Sequence, residues 1–220
     1  MGWVEVYDSD VYTIQYPWST VVSFVCKHTK KGMRVLDVGC GLGNNFQPVV
    51  DRGGIPVGLD ISATALAKAR DKYPTAELHE YKFEDDWAAI ADNSIDVAYD
   101  SKGLTTGSLS AIKAGLASTY RCMKPGAKFL WWTMSDGGDW SRAGDMSDAR
   151  FVESSKVKDI PNGAMFRGYT FLSLSDCRLM AAKIGFTIDV VTILRMETLN
   201  SDATRRVMEH FVIEMAKPKA

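Results

Sequence analysis

The 220-residue chain is 46% hydrophobic and 24% charged, ordinary globular usage that sets aside disordered and fibrous classes. A formal charge of −1 gives no net field for a nucleic-acid backbone, and no apolar run approaches the roughly 20 residues needed to span a bilayer. Cys26, Cys40, Cys122 and Cys177 stand far apart without a CxxC pair, which fits reduced thiols in a cytoplasm better than a zinc site or a disulfide framework.

The length suits one α/β domain over 1–220, working as a monomer or homodimer. An aromatic and acidic opening leads into a short helix within 18–27, begun by Ser19 or Thr20 and ended by Lys30-Lys31-Gly32. Residues 33–38 form a compact apolar run entering a glycine turn, as a strand buried on both faces should. The pattern then predicts a helix over 44–51, a strand over 56–59, a helix over 63–72 and a strand near 77–81. After these come a strand over 95–99, a helix over 109–123, a turn at Lys124-Pro125-Gly126 and a strand over 128–133. Repeated βα units of this kind imply a parallel sheet with right-handed crossovers. The polar stretch 135–168, rich in Gly, Asp and Ser, reads as an insertion over one end of that sheet. A helix over 174–184 capped by Gly185, a strand over 187–194 and a last strand around 211–215 complete the chain.

The strongest signal is Val35-Leu36-Asp37-Val38-Gly39-Cys40-Gly41-Leu42-Gly43, a buried strand running into a GxGxG turn where a ligand can approach the backbone closely. Asp60 follows 17 positions after Gly43, at the end of the next apolar strand, where a carboxylate can accept both hydroxyls of a ribose. A dinucleotide oxidoreductase would need a third small residue where this chain has Asn44. Asp37 would also repel a pyrophosphate, whereas it suits an ammonium, so the charge pattern favours a cationic nucleoside ligand.

These residues resemble motif I of the class I S-adenosylmethionine-dependent methyltransferases, and Val57-Gly58-Leu59-Asp60 resembles the second motif. Ser94-Ile95-Asp96-Val97-Ala98-Tyr99 is similar to the fourth-strand motif, Met123-Lys124-Pro125-Gly126-Ala127 to the turn before strand five, and Ala182-Lys183-Ile184-Gly185-Phe186 to the end of the late helix. The resemblance implies a Rossmann-like, seven-stranded, mostly parallel sheet of order 3-2-1-4-5-7-6, with the last strand antiparallel and helices on both faces. It implies S-adenosyl-L-methionine as cofactor and S-adenosyl-L-homocysteine as product. Gly39, Gly41 and Gly43 would wrap the methionyl and ribose portion, Asp37 the ammonium, and Asp60 the ribose, with Asn45 and Ile61 beside them. Glu84 or Asp85 would meet the adenine amino group, and Tyr16 and Trp18 belong to a segment with Tyr12 and Pro17 (within 1–30) that folds over the cofactor. No metal is implied.

Methyl transfer from a sulfonium is an in-line displacement that positioning can largely accelerate, so a catalytic signature can be faint. Asp100, just after the fourth strand, is the candidate general base, and its alternative role is a capping or cofactor-contacting carboxylate. Lys102, Trp132, Asp136, Trp140 and Tyr169 are candidate acceptor-pocket residues, with Trp131 and Trp132 pointing to opposite faces of their strand. His28, His79 and His210 offer no visible catalytic pair and read as structural or surface residues. The combined motifs are similar to bacterial small-molecule and glycan-pathway methyltransferases, which implies O- or N-methylation of a small acceptor. A protein lysine methyltransferase of the same fold and a non-catalytic cofactor-binding relative are the alternatives.

Overall fold

The computed structural model describes residues 3–8, 16–142, 151–153, 168–199 and 205–219. Its elements in order are α1 (Trp3–Asp8), α2 (Ser19–His28), β1 (Arg34–Val38), α3 (Gln47–Asp51), β2 (Ile55–Asp60), α4 (Ala63–Lys72), β3 (Glu77–Glu80) and β4 (Ile95–Ser101). There follow α5 (Leu109–Cys122), β5 (Met123–Ser135), β6 (Phe151–Glu153), β7 (Gly168–Leu172), α6 (Leu174–Ile184), β8 (Thr187–Leu199) and β9 (Arg205–Ala216). The predicted strands and helices all form, with shifts at their ends.

Strands β3-β2-β1-β4-β5 pair in parallel, β9 pairs antiparallel with β5, and β8 closes that edge on β9. That path is the expected 3-2-1-4-5-7-6 order once the two last strands are counted as six and seven. The expected count of seven is corrected to nine among the described residues. Of the two additional strands, β6 lies in the middle of the 135–168 stretch and β7 begins at its end: they form an antiparallel pair, and β7 adds in parallel to the end of β5 through Met134 and Ser135. Polar composition hid them, because short strands at a sheet margin need little apolar patterning. The run 168–172 is nonetheless Gly-Tyr-Thr-Phe-Leu, rich in β-formers.

Side chains alternate across β1, β4 and β5 as a period of two requires. Leu36, Val38, Ala98 and Trp131 pack with Ile112 and Leu116 of α5 and Met180 of α6. Val35, Val97, Tyr99, Leu130 and Trp132 pack with Val21, Phe24 and Val25 of α2. Both faces being covered explains the unbroken apolar run at β1. Complete burial of Trp131, Phe129 and Leu36 contributes roughly 1.5–3 kcal/mol for each such side chain.

Helix starts follow local chemistry. Ser62 and Ser108 accept from the third amide beyond them, and Ser173 with Asp176 forms a reciprocal capping box. Gly185, at φ +109°, ends α6 as expected. The helix expected over 44–51 begins only at Gln47, because the positive-φ glycine turn continues to Phe46 and Pro48 then opens the helix. The turn at Lys124-Pro125-Gly126 lies within β5, and β8 and β9 run beyond their predicted ends as a long hairpin whose edge strand β8 is largely exposed.

Candidate active site

The parallel register brings the carboxyl ends of β1, β2 and β4 side by side, and each carries an aspartate. Asp37 lies opposite Gly58 and Tyr99, Asp60 ends β2, and Asp100 lies opposite Val38 and Trp131. All three are buried, with Asp37 at 1% and Asp100 at 0% exposure.

Asp60 holds the glycine turn. Its Oδ2 accepts from the Gly41 amide at 2.8 Å and its Oδ1 from the Ser62 amide at 3.0 Å, so one carboxylate ties the turn after β1 to the start of α4. The Gly39 and Cys40 amides both donate to the Leu59 carbonyl at 2.9 Å, which pins the turn to β2. Gly39, Gly41 and Gly43 have φ of +76°, +51° and +68°, a region costly for other residues. At Gly41 a methyl group would overlap the Tyr7 hydroxyl. Tyr7 arrives there because α1 docks on α4, with Lys68 donating to the Tyr7 carbonyl at 3.2 Å and the Thr64 hydroxyl donating to Asp8. Tyr7 has no fixed spacing from the glycine motif, so the sequence did not single it out; its aromatic, acidic surroundings were the only signal.

The other two aspartates carry unmet hydrogen-bonding capacity. Neither Asp37 oxygen makes a hydrogen bond of normal geometry, although Tyr99 and Asn45 lie close enough to favour its charged form. Burial, and then the Asp100 charge, push the Asp37 pKa well above the usual carboxylate range. Asp100 Oδ1 accepts from the Leu104 amide at 2.9 Å while Oδ2 has no partner, and burial raises its pKa to about 8. Burial also raises Asp60, against the pull of the Ser62, Gly41 and Ile61 amides. Buried carboxylates with bare oxygens call for a cationic guest.

The remaining predicted cofactor residues divide by burial. Asn45 is buried: its side-chain oxygen accepts from the Trp18 amide at 3.1 Å and its carbonyl from the Tyr99 hydroxyl at 3.1 Å. Ile61 is exposed at the end of β2, and Tyr16 is 82% exposed at the edge of the described residues, while Tyr12 lies outside them. Glu84 and Asp85 are both exposed, and Asp85 accepts from the Lys82 amide at 2.7 Å, closing its own turn. Phe83, between Lys82 and Glu84, stands nearest the glycine turn, close to Gly39.

Residues 35–126, which contain all three aspartates and the glycine turn, match the family described as "Methyltransferase domain". Over this stretch the chain is similar to the class I methyltransferases. It is 30% identical over 133 residues to the malonyl-[acyl-carrier protein] O-methyltransferase of Pectobacterium atrosepticum, covering 57% of this chain and 51% of the relative. It is 28% identical over 150 residues to the dTDP-3-amino-3,4,6-trideoxy-alpha-D-glucopyranose N,N-dimethyltransferase of Streptomyces venezuelae, covering 60% and 62%. The chain thus spans about half to three-fifths of the length of these relatives. A SAM-dependent methyltransferase structure from Methanosarcina mazei has the same fold, with a TM-score of 0.69 at 17% identity, covering 90% of this chain and 98% of that one.

Beyond its aspartates, the chain assembles an aromatic and cationic cluster at the mouth of β4 and β5. Lys102 takes φ +69°, which breaks the strand alternation, and its Nζ lies 3.6 Å from the Trp18 ring centroid and 4.8 Å from that of Trp132. The two indoles meet edge to face at 5.4 Å. Burial lowers the Lys102 pKa to about 8, against the pull of Asp100. His210 of β9 stands 6.0 Å from Trp132, ring to ring, at 2% exposure, so the sequence reading of it as a surface or structural residue missed a neighbour of this cluster. Period-two alternation back from Val212 would have placed it on this face.

The other acceptor-pocket candidates lie elsewhere. Tyr169 packs with Met134, Phe171 and Met208 in a separate apolar cluster. The Asp136 amide donates to the Leu172 carbonyl at 3.0 Å, joining β5 to β7. Trp140 falls in a short 3-10 turn, Asp139–Arg142, and its side chain lies outside the described residues, as do Phe166 and Arg167. Trp131 points to the α5 face, fully buried in the core, while Trp132 points to the α2 face.

Proposed function

We propose that this protein is a methyltransferase that moves the methyl group of S-adenosylmethionine to an oxygen or nitrogen of a small-molecule acceptor, in the cytoplasm. The observation that carries the reading is the pair of buried aspartates with bare oxygens, Asp37 and Asp100, beside a glycine turn that admits no side chain. When bound, S-adenosylmethionine supplies an electrophilic methyl on a sulfonium, together with an ammonium. Those two positive centres match the carboxylates, which gain their charged forms when a cation neutralises the cost of burial.

Within this reading, Gly39, Gly41 and Gly43 let the ligand lie against the backbone, and Asp60 keeps lone-pair capacity for ribose hydroxyls while it holds the turn. Ile61, Glu84 and Asp85 are exposed and would meet the adenine, and Trp18, whose amide donates to Asn45, would fold over the cofactor with Tyr16. Asp100 is positioned to accept a proton from the acceptor through its free Oδ2. The small-acceptor assignment draws on the curated relatives, whose names specify an acyl-carrier-bound malonyl group and a nucleotide sugar. Four free cysteines, three of them buried, support a reducing compartment.

Calorimetric titration with S-adenosylmethionine, NAD and NADP, each in two buffers of different ionisation enthalpy, tests the reading. Binding of the first alone, near micromolar, with release of protons at pH 7 as the aspartates ionise, is the expected result. Binding of a dinucleotide instead, or no binding of S-adenosylmethionine and its demethylated product, would overturn it.

A further inference from the structure

The Lys102 cluster offers hydrogen-bond donors that nothing in the fold uses. Trp132 Nε1 is buried without a partner, and both ring nitrogens of His210 are buried without one. A neutral imidazole always carries one N–H, so the neighbouring Trp132, His210 and Lys102 ammonium place three kinds of donor together on the α2 face of the sheet. Burying such groups unpaired costs free energy. Donors left in that state at the mouth of an active site are explained by a guest that accepts from them.

A second observation concerns Lys102 itself. A lysine at φ +69° is held in a conformation that L side chains adopt at a cost, and here that backbone turns the ammonium onto the α2 face, over Trp18 and Trp132. No carboxylate forms an ion pair with Lys102 among the described residues. Its aromatic neighbours stabilise the cation weakly and leave it able to pair with an anion. On the same face, Leu194, registered opposite His210, and Val212, two residues along β9, line a groove with Phe24 and Leu130, which the Lys27–Glu214 ion pair also lines.

We infer that Lys102, Trp132 and His210 form an oxyanion subsite that anchors the acceptor through a carboxylate or a phosphate group. The inference rests on the methyl-transfer reading for the word acceptor, whereas the subsite is tested without methyl transfer. Lys102 supplies the charge. Trp132 Nε1 and the His210 N–H supply directional hydrogen bonds, and the Trp18 ring covers a neighbouring side of the ammonium. An acceptor bound by a fixed anionic group would present its nucleophile to the methyl in one orientation, which is the positioning that this displacement chiefly requires.

The experiment follows the ring signals of the three histidines by NMR in protein loaded with S-adenosylhomocysteine and, separately, without it. Acetate and inorganic phosphate are titrated at constant ionic strength, with tetramethylammonium as the cationic control, and His210→Gln assigns the signal. A saturable shift of His210 alone with acetate or phosphate is expected, the better anion naming the group. Lys102→Met should weaken that response at least tenfold, and Lys102→Arg should retain most of it. Lys102→Gly, which relaxes the positive φ, should lose it while folding at least as stably as the wild type. No anion response at His210, an equal response at His28 and His79, a response that survives both Lys102→Met and Lys102→Gly, or a response to tetramethylammonium instead would each overturn the subsite. Failure of S-adenosylhomocysteine to bind, with the anion response intact, would overturn the methyl-transfer reading and leave the subsite standing.

Discussion

Asp60→Ala is expected to damage stability as well as ligand binding, because the carboxylate accepts from two buried backbone amides, Gly41 at 2.8 Å and Ser62 at 3.0 Å. Each amide orphaned in the interior costs about 1–3 kcal/mol, so the pair sets a loss of about 2–6 kcal/mol. Removing a buried carboxylate whose pKa is already raised by desolvation offsets part of this, which places the net loss near 2–4 kcal/mol. Asp60→Asn keeps one acceptor and sets an amide N–H₂ against the other backbone N–H, so about half the loss is expected. Urea unfolding with linear extrapolation reads both variants, and calorimetry with S-adenosylmethionine reads binding, expected to fall at least about tenfold for Asp60→Ala. An Asp60→Ala protein within about 0.5 kcal/mol of wild type would refute the claim that this side chain holds the glycine turn. Lost stability with unchanged affinity would leave the clamp and remove Asp60 from the ligand site.

Gly41→Ala places a methyl group on the Tyr7 hydroxyl at φ +51°, and should destabilise by about 1–3 kcal/mol. Tyr7→Phe in that background should recover part of the loss, and strict additivity in the double-mutant cycle would show that α1 does not cover the turn. Asp100, with its pKa raised to about 8 from the ordinary value near 4, favours the folded state when protonated. Its contribution is therefore full below about pH 4 and is lost as pH rises toward 8. Histidines whose pKa values are lowered act oppositely only below about pH 6.5, and Lys102, lowered to about 8, acts oppositely mainly above about pH 7.5, so urea midpoints between pH 6.5 and 7.5 report chiefly on the carboxylates. Wild type should lose stability across that interval and Asp100→Asn should lose less; equal slopes would contradict the burial assigned to Asp100.

The sequence made the sheet legible where side chains had one physical task. At β1 and β2, strands buried on both faces must be apolar throughout, and a turn with three positive-φ positions must be glycine, so residues 35–60 announce themselves. The Gly185 stop and the Ser173 start of α6 are equally local, each decided by backbone groups within one helical turn. The β6–β7 pair was missed because its strands are short and its place depends on Met134 and Ser135 meeting Phe171 and Leu172. Glu84 and Asp85 were selected by spacing alone, and spacing does not say that Asp85 closes a turn or that Phe83 stands nearest the glycines.

By itself, then, the sequence determined the parallel sheet, the glycine turn and the aspartates that end β1, β2 and β4, because local backbone demands and one-dimensional patterning specify them. Tertiary structure decided which groups share a site: it set Tyr7 on Gly41, 34 positions away, and His210 beside Trp132, 78 positions away. It also decided which polar atoms lack partners. Such facts depend on strand register and on the burial of residues distant in the chain, and no local pattern encodes them.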